Sequence, residues 1–96
     1  MIWEKCKEIE SDIVEMRREL HQIPELGFHL PKTRAYVIRK LEEIGVPYIL
    51  SEKDSSIVAT MKCARPGKTL AFRADMDALP IYENTGLPYA SKVEGV

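Results

Sequence analysis

The stretch Lys68-Thr-Leu-Ala-Phe-Arg-Ala-Asp-Met-Asp-Ala-Leu-Pro80 gives the strongest indication of the fold. Its first half, residues 69–74, is mostly apolar and too short for a helix, although it contains Arg73. That pattern predicts a strand that is buried on both faces. Its second half places Asp75 and Asp77 where the strand ends, and ligands gather at the carboxyl ends of strands in open α/β sheets. We therefore expect these two carboxylates to lie at a functional site.

Length and composition indicate a small folded domain. The chain has 96 residues, of which 45% are hydrophobic and 30% are charged, and this is ordinary for globular proteins. The net charge of −1 and the absence of a basic run predict no nucleic-acid partner. No apolar run approaches the roughly 20 residues of a membrane span, and no signal peptide is evident. We expect a cytoplasmic protein in which Cys6 and Cys63 are buried free thiols.

Two helices are predicted in the first half of the chain. Apolar residues recur in steps of three and four, which predicts a helix over residues 3–22 that ends before Pro24. A second helix should begin at Pro31, which suits a first helical turn, and close at Gly45. The predicted core-facing residues are Cys6, Ile9, Ile13, Met16, Leu20, Ile23, Tyr36, Val37, Leu41 and Ile44.

Three strands are predicted in the second half, at residues 46–50, 57–62 and 69–74. The last two should form an antiparallel hairpin around the turn at residues 63–67. The order of elements predicts an α/β fold in which two N-terminal helices pack on a small mixed sheet. An open edge of that sheet is expected to favour self-association of the chain. The residues after Pro80 lack a period and are predicted to be loop.

The Asp-x-Asp spacing alone leaves several interpretations open. The carboxylates could converge on a metal or on an imidazole that binds one, or one could cap loop amides while the other is solvated, which the spacing alone favours. Leu79 and Pro80 exclude a calcium loop, which needs an oxygen ligand and a glycine there. A phosphatase of the haloacid dehalogenase type, using Asp75 and Asp77, is a less favoured alternative because Leu79 replaces its usual Thr or Val.

The other chemically active side chains predict no catalytic group by themselves. His21 and His29 are eight residues apart, so they do not share one helix face, and each is expected to be a helix-end or loop residue. Arg73, inside an apolar strand, must find a carboxylate partner. The candidate partners are Asp75, Asp77 and Glu83.

Four stretches together resemble one protein family. They are residues 17–28, 33–45, 67–81 and 83–95. The sequence resembles the metallo-amidohydrolases related to aminoacylase and the zinc carboxypeptidases. Within them it is most similar to hippurate hydrolase, N-acyl-L-amino-acid amidohydrolase and the plant indoleacetyl-amino-acid hydrolases. The resemblance implies that residues 1–96 are the N-terminal, incomplete portion of a single zinc-peptidase-like α/β catalytic domain.

The resemblance also implies roles for the two carboxylates. Members of the family hydrolyse the amide bond of N-acyl amino acids with two divalent metals, zinc or manganese. The segment Asp75–Pro80 aligns with the His-x-Asp-x-x-Pro motif of the wider family, with Asp75 in the place of the His. Asp77 then resembles the carboxylate that orients a metal-binding imidazole, and Asp75 a loop contact. Arg73 and Glu83 would be structural partners.

The metal ligands and the general-base Glu of the family match no residue of this sequence. We therefore expect the chain alone to hold no metal cofactor and to be inactive. The substrate, an N-acyl amino acid or a peptide, is expected to bind the complete enzyme. An alternative is a small non-enzymatic module that binds a partner through its open sheet edge.

Overall fold

The computed structural model describes residues 1–96 and contains three helices followed by two strands. These are α1 (Ile2–Glu8), α2 (Glu10–His21), α3 (Pro31–Ile44), β1 (Tyr48–Leu50) and β2 (Ile57–Ala59). The predicted α/β fold class is confirmed. None of the helices is long and apolar enough to span a membrane. The chain divides into two compact units, Met1–Pro24 with Leu79–Val96, and Glu25–Ala78.

The first helix differs from the prediction because it is broken at Ile9. The backbone angles of Ile9 are φ −103° and ψ 4°, and its N–H bonds to the carbonyl of Cys6, three residues back, at 3.3 Å. The first half of the predicted core stripe is not buried, since Cys6, Ile9 and Ile13 are exposed. The second half is half-buried, at Met16, Leu20 and Ile23. Without a packed face, tertiary contacts do not hold the two segments as one helix.

Cys63 is also exposed, so the prediction of two buried thiols is wrong.

Helix α3 begins and ends where the sequence predicted. Pro31 occupies the first helical turn, and Gly45 terminates the helix with a φ of +86°. The Gly45 N–H donates to the carbonyl of Leu41 at 2.9 Å, which satisfies one of the last free carbonyls. Tyr36 faces the interior as predicted, whereas Ile44 is exposed. The apolar stripe therefore loses its burial in the last helical turn.

The sheet has two strands and a different pairing from the predicted one. β1 pairs antiparallel with β2, with Tyr48 opposite Ala59, so the predicted hairpin between residues 57–62 and 69–74 is wrong. Residues 69–74 form no strand, and the Phe72 side chain is 94% exposed. A strand that is apolar on both faces needs neighbouring strands and covering layers. No element of the chain pairs with this segment.

The buried residues all lie in the Glu25–Ala78 unit, around the first turns of α3. The Ser55 hydroxyl accepts the Leu30 N–H at 2.6 Å, and the Ser55 N–H donates to the carbonyl of Phe28 at 2.9 Å. The Arg34 guanidinium donates to two carbonyls of the loop between the strands, at 2.9 and 3.3 Å. These bonds fix the start of α3 against that loop. The buried residues are Leu30, Thr33, Tyr36 and Ser55.

Gly45→Ala is expected to lower the free energy of unfolding by about 1 to 2 kcal/mol, because alanine is strained at a positive φ. A Cβ at Gly45 would meet no atom within 4 Å, so the cost is conformational and not steric. Gly67→Ala is the matched control, since Gly67 has no positive φ and equally open surroundings. It should be neutral or stabilise by about 0.5 kcal/mol. Urea unfolding midpoints measure both changes, and equal midpoints would contradict this account of the helix end.

Candidate functional site

Asp75 lies in an exposed coil segment and is paired with Arg73. The Arg73 Nη2 donates to the Asp75 Oδ1 at 3.2 Å, so Arg73 finds one of the carboxylates that the sequence predicted. Both side chains are more than two-thirds exposed, at 90% and 72%. An ion pair this exposed contributes at most about 1 kcal/mol, because water screens it. Arg73 therefore balances part of the negative charge of Asp75 but does not hold the Asp75 side chain firmly in place.

Asp77 presents a carboxylate without a partner on a backbone that is anchored beside it. Its side chain is exposed and makes no hydrogen bond or ion pair. The next residue, Ala78, donates its N–H to the carbonyl of Glu25 at 2.8 Å. Within residues 61–78 this is the only backbone–backbone hydrogen bond. The position of Asp77 therefore depends on Glu25.

Glu25 also caps helix α3 with its side chain. Its two carboxylate oxygens accept the N–H groups of Thr33, at 2.7 Å, and Lys32, at 3.2 Å. This capping role was not predicted from the sequence. The sequence feature that could have indicated it is Leu30, directly before the helix. A leucine side chain cannot accept hydrogen bonds from the free N–H groups of the first turn, so an acceptor from another residue is needed.

Glu83 is the centre of a separate polar cluster in the other unit. Its Oε1 lies 2.6 Å from the His21 Nε2 and accepts the Ser91 N–H at 3.0 Å, while its Oε2 accepts the Thr85 hydroxyl. The Glu83 side chain is only 14% exposed. Glu83 was a predicted candidate partner of Arg73, and the structure pairs it with His21 instead. His21 is the last residue of α2, as predicted for a helix-end histidine.

The pKa of the Glu83 carboxyl lies below its ordinary value, chiefly because of the Thr85 hydroxyl and then the Ser91 N–H. Both groups favour the ionised form, so this carboxylate stabilises its unit above the ordinary glutamate pKa of about 4.3. The stabilisation is lost as the pH falls through the lower, folded-state pKa.

Thr85→Val is expected to raise the pKa of Glu83, because it removes the hydroxyl donor that contributes most to the lowering. Carboxyl chemical shifts followed by NMR from pH 6 to pH 2 would measure the change. Ser91→Ala is the matched control, since it keeps the backbone N–H that reaches Glu83. A pKa of Glu83 that moves equally in both variants would contradict the assignment.

An open groove of about 690 Å³ lies along α1 and α2, beside Pro88 and Tyr89. Its lining combines glutamates with Lys7 and Arg18, and it includes no histidine or cysteine. The Arg18 guanidinium stacks 4.3 Å from the centre of the Tyr89 ring. Because the charges are of both signs, the groove favours no single class of ligand.

The donor set present does not fit a dinuclear metal centre. No group of three or more His, Cys, Asp or Glu side chains lies together in the 96 residues. A single zinc ion already needs three or four protein ligands. Asp75 is engaged by Arg73, and His21 by Glu83. These residues therefore do not assemble a metal site by themselves.

Comparison with known proteins gives clear relatives. No protein-family model matches the chain. The N-acetyldiaminopimelate deacetylase of Oceanobacillus iheyensis is 46% identical over 82 residues, which are 84% of this chain and 22% of the relative. Thermostable carboxypeptidase 1 of Saccharolobus solfataricus is 42% identical over 98 residues, covering 94% of this chain and 23% of the relative.

A solved structure agrees with these matches. The Bacillus subtilis YXEP protein, described as a dinuclear metal binding peptidase from the M20 family, is 40% identical with a TM-score of 0.83. The match covers 93% of this chain and 25% of that protein. In fold and sequence the chain is similar to the class of metallo-amidohydrolases and metallopeptidases. Its fold matches the N-terminal part of the catalytic domain of a peptidase from the M20 family, and it spans about a quarter of the length of these relatives.

Proposed function

We propose that these residues form part of the single catalytic domain of a metal-dependent amidohydrolase that cleaves N-acyl amino acids, with hippurate-like compounds as substrates. The observation that carries this proposal is identity above 40% to a deacetylase and a carboxypeptidase over most of the chain. Both names denote hydrolysis of an amide bond of an amino acid. The fold of a dinuclear metal binding peptidase supports the dependence on two metals, for which we propose zinc or manganese.

Within this function, Asp77 is the carboxylate that orients a metal-binding side chain supplied from outside these residues. Three observations support the role: its carboxylate is exposed, it has no partner, and its backbone is anchored through Ala78. A carboxylate that accepts the second N–H of an imidazole fixes the orientation of that ring toward a metal. Asp75, paired with Arg73, serves as a loop contact. The chain alone does not supply a metal centre.

We also propose that the protein is cytoplasmic. Cys6 and Cys63 are exposed and unpaired, which suits a compartment that keeps thiols reduced. The partners are small substrates, N-acyl amino acids or short peptides, and we propose neither a nucleic acid nor a membrane as a partner.

The test is a chimaera in which these residues replace the matching segment of the Bacillus subtilis YXEP protein. We expect it to bind two metal ions per chain and to hydrolyse hippurate or an N-acetyl amino acid with Mn²⁺ or Zn²⁺. The chain alone is expected to show neither property. A folded, metal-loaded chimaera without activity on any N-acyl amino acid would overturn the proposed substrate class. Stoichiometric metal and hydrolysis in the 96-residue chain alone would overturn the proposed division of the site.

A non-catalytic binding module is the second candidate, favoured by the exposed apolar side chains of Leu70 and Phe72. Such a module needs a binding face but no catalytic carboxylate. The chimaera distinguishes the two functions. If these residues come from a binding module, the chimaera should fold but show no hydrolysis.

A further inference from the structure

Glu25 makes two contacts that join helix α3 to the backbone beside Asp77. Its carboxylate accepts the N–H groups of Thr33 and Lys32 at the start of α3, at 2.7 and 3.2 Å. Its backbone carbonyl accepts the N–H of Ala78 at 2.8 Å. From this geometry we infer that Glu25 is a positioning residue for Asp77. The inference deepens the proposed function and rests on it for the role of Asp77.

The side-chain contacts fix Glu25 itself. A carboxylate at a helix N-terminus gains from charge-assisted hydrogen bonds and from the helix dipole. Helix α3 supplies no cap of its own, since Leu30 makes no side-chain cap hydrogen bond. The Glu25 carboxylate is therefore held by two donors on a rigid element, and its backbone carbonyl is held with it.

The backbone contact also restrains the segment at residues 61–78, which contains Asp77. Residues 61–78 contain no helix or strand, and Ala78 makes their only backbone–backbone hydrogen bond. A segment with few hydrogen bonds and few buried contacts opens at low free energy. The bond from Ala78 to Glu25 limits that opening at the residue next to Asp77. Glu25 therefore acts on Asp77 through the chain and without touching its side chain.

The experiment uses the 96-residue chain without metal. NMR measures the exchange rate of the Ala78 amide with water and the heteronuclear NOE of the Asp77 amide. In Glu25→Ala, we expect the Ala78 exchange rate to rise roughly fivefold, as for the loss of one helix cap, and the NOE of Asp77 to fall. Glu25→Gln keeps an acceptor oxygen in the same shape and should restore most of the protection.

Ala35→Gly is the matched control. Ala35 is an exposed residue inside α3, and glycine there weakens the helix by an amount similar to the loss of a cap. It leaves Glu25 untouched, so the exchange rate of Ala78 should stay at the wild-type value. Equal acceleration in Ala35→Gly and Glu25→Ala would overturn the inference, because helix stability would then explain both.

An unchanged Ala78 exchange rate in Glu25→Ala would also overturn it. Should that variant fail to fold, Glu25→Asp makes the same test, since it keeps the charge but shortens the side chain by one methylene. Its Ala78 amide must exchange faster than in the wild type. None of these measurements involves hydrolysis, so their outcome is independent of whether the chimaera is active.

Discussion

Asp77→Ala in the chimaera is expected to lower the metal affinity and kcat/KM for a hippurate-like substrate, each by roughly 10- to 100-fold. The reason is that a metal-binding imidazole without its carboxylate partner loses its fixed tautomer and orientation. Metal titration measures the first effect and initial rates measure the second. For Asp77→Asn, the metal affinity and kcat/KM should lie between those of the wild type and of Asp77→Ala. The reason is that an amide oxygen still accepts a hydrogen bond but carries no charge.

Asp75→Ala is the control that separates a specific role from general damage to the loop. It breaks only the exposed ion pair with Arg73, so the free energy of metal binding should change by at most about 1 kcal/mol. If Asp75→Ala and Asp77→Ala lower the metal affinity equally, the assignment of Asp77 is wrong. Circular dichroism of both variants checks that the chimaera remains folded.

The elements that the sequence predicted well are those with local causes. Helix α3 begins at Pro31 and closes at Gly45 because these residues have fixed or special backbone angles whatever surrounds them. The strands β1 and β2 also lie inside the predicted ranges, although each is only three residues long. Such signals need no knowledge of the rest of the molecule.

The predictions that failed depended on contacts distant in sequence. The segment at residues 69–74 has the composition of a central strand, but a strand forms only when another segment offers hydrogen bonds to it. The predicted first helix is interrupted at Ile9, where the apolar stripe is exposed and no packed surface supports a continuous helix. The cap by Glu25 comes from a residue outside α3, so it could be inferred only from the missing local cap.

The candidate site was predicted by a mixture of the two kinds of signal. The position of Asp75 and Asp77 after an apolar stretch was visible in the sequence, and the resemblance assigned their different roles. The anchor from Ala78 to Glu25 joins residues more than fifty positions apart and could not be predicted from spacing.

Phe72→Ser is expected to reduce the self-association of the isolated chain, lowering its association constant roughly 10- to 100-fold. Leu70 and Phe72 are 81% and 94% exposed, and in an extended segment they share one face. Burying a phenylalanine side chain contributes about 1.5 to 3 kcal/mol. A second copy of this segment could supply both an apolar surface and the missing backbone partners. Sedimentation velocity over a range of concentrations measures the effect.

Ala71→Ser is the matched control, since in an extended strand residue 71 points away from the face shared by residues 70 and 72. It should leave association unchanged. A wild-type chain that stays monomeric at all concentrations would contradict the prediction. In the chimaera the same Phe72→Ser change should instead lower the unfolding midpoint, because the surrounding domain would cover this face. Both consequences would follow from one cause: residues 69–74 carry the side chains of a buried strand but have no partner strand within this chain.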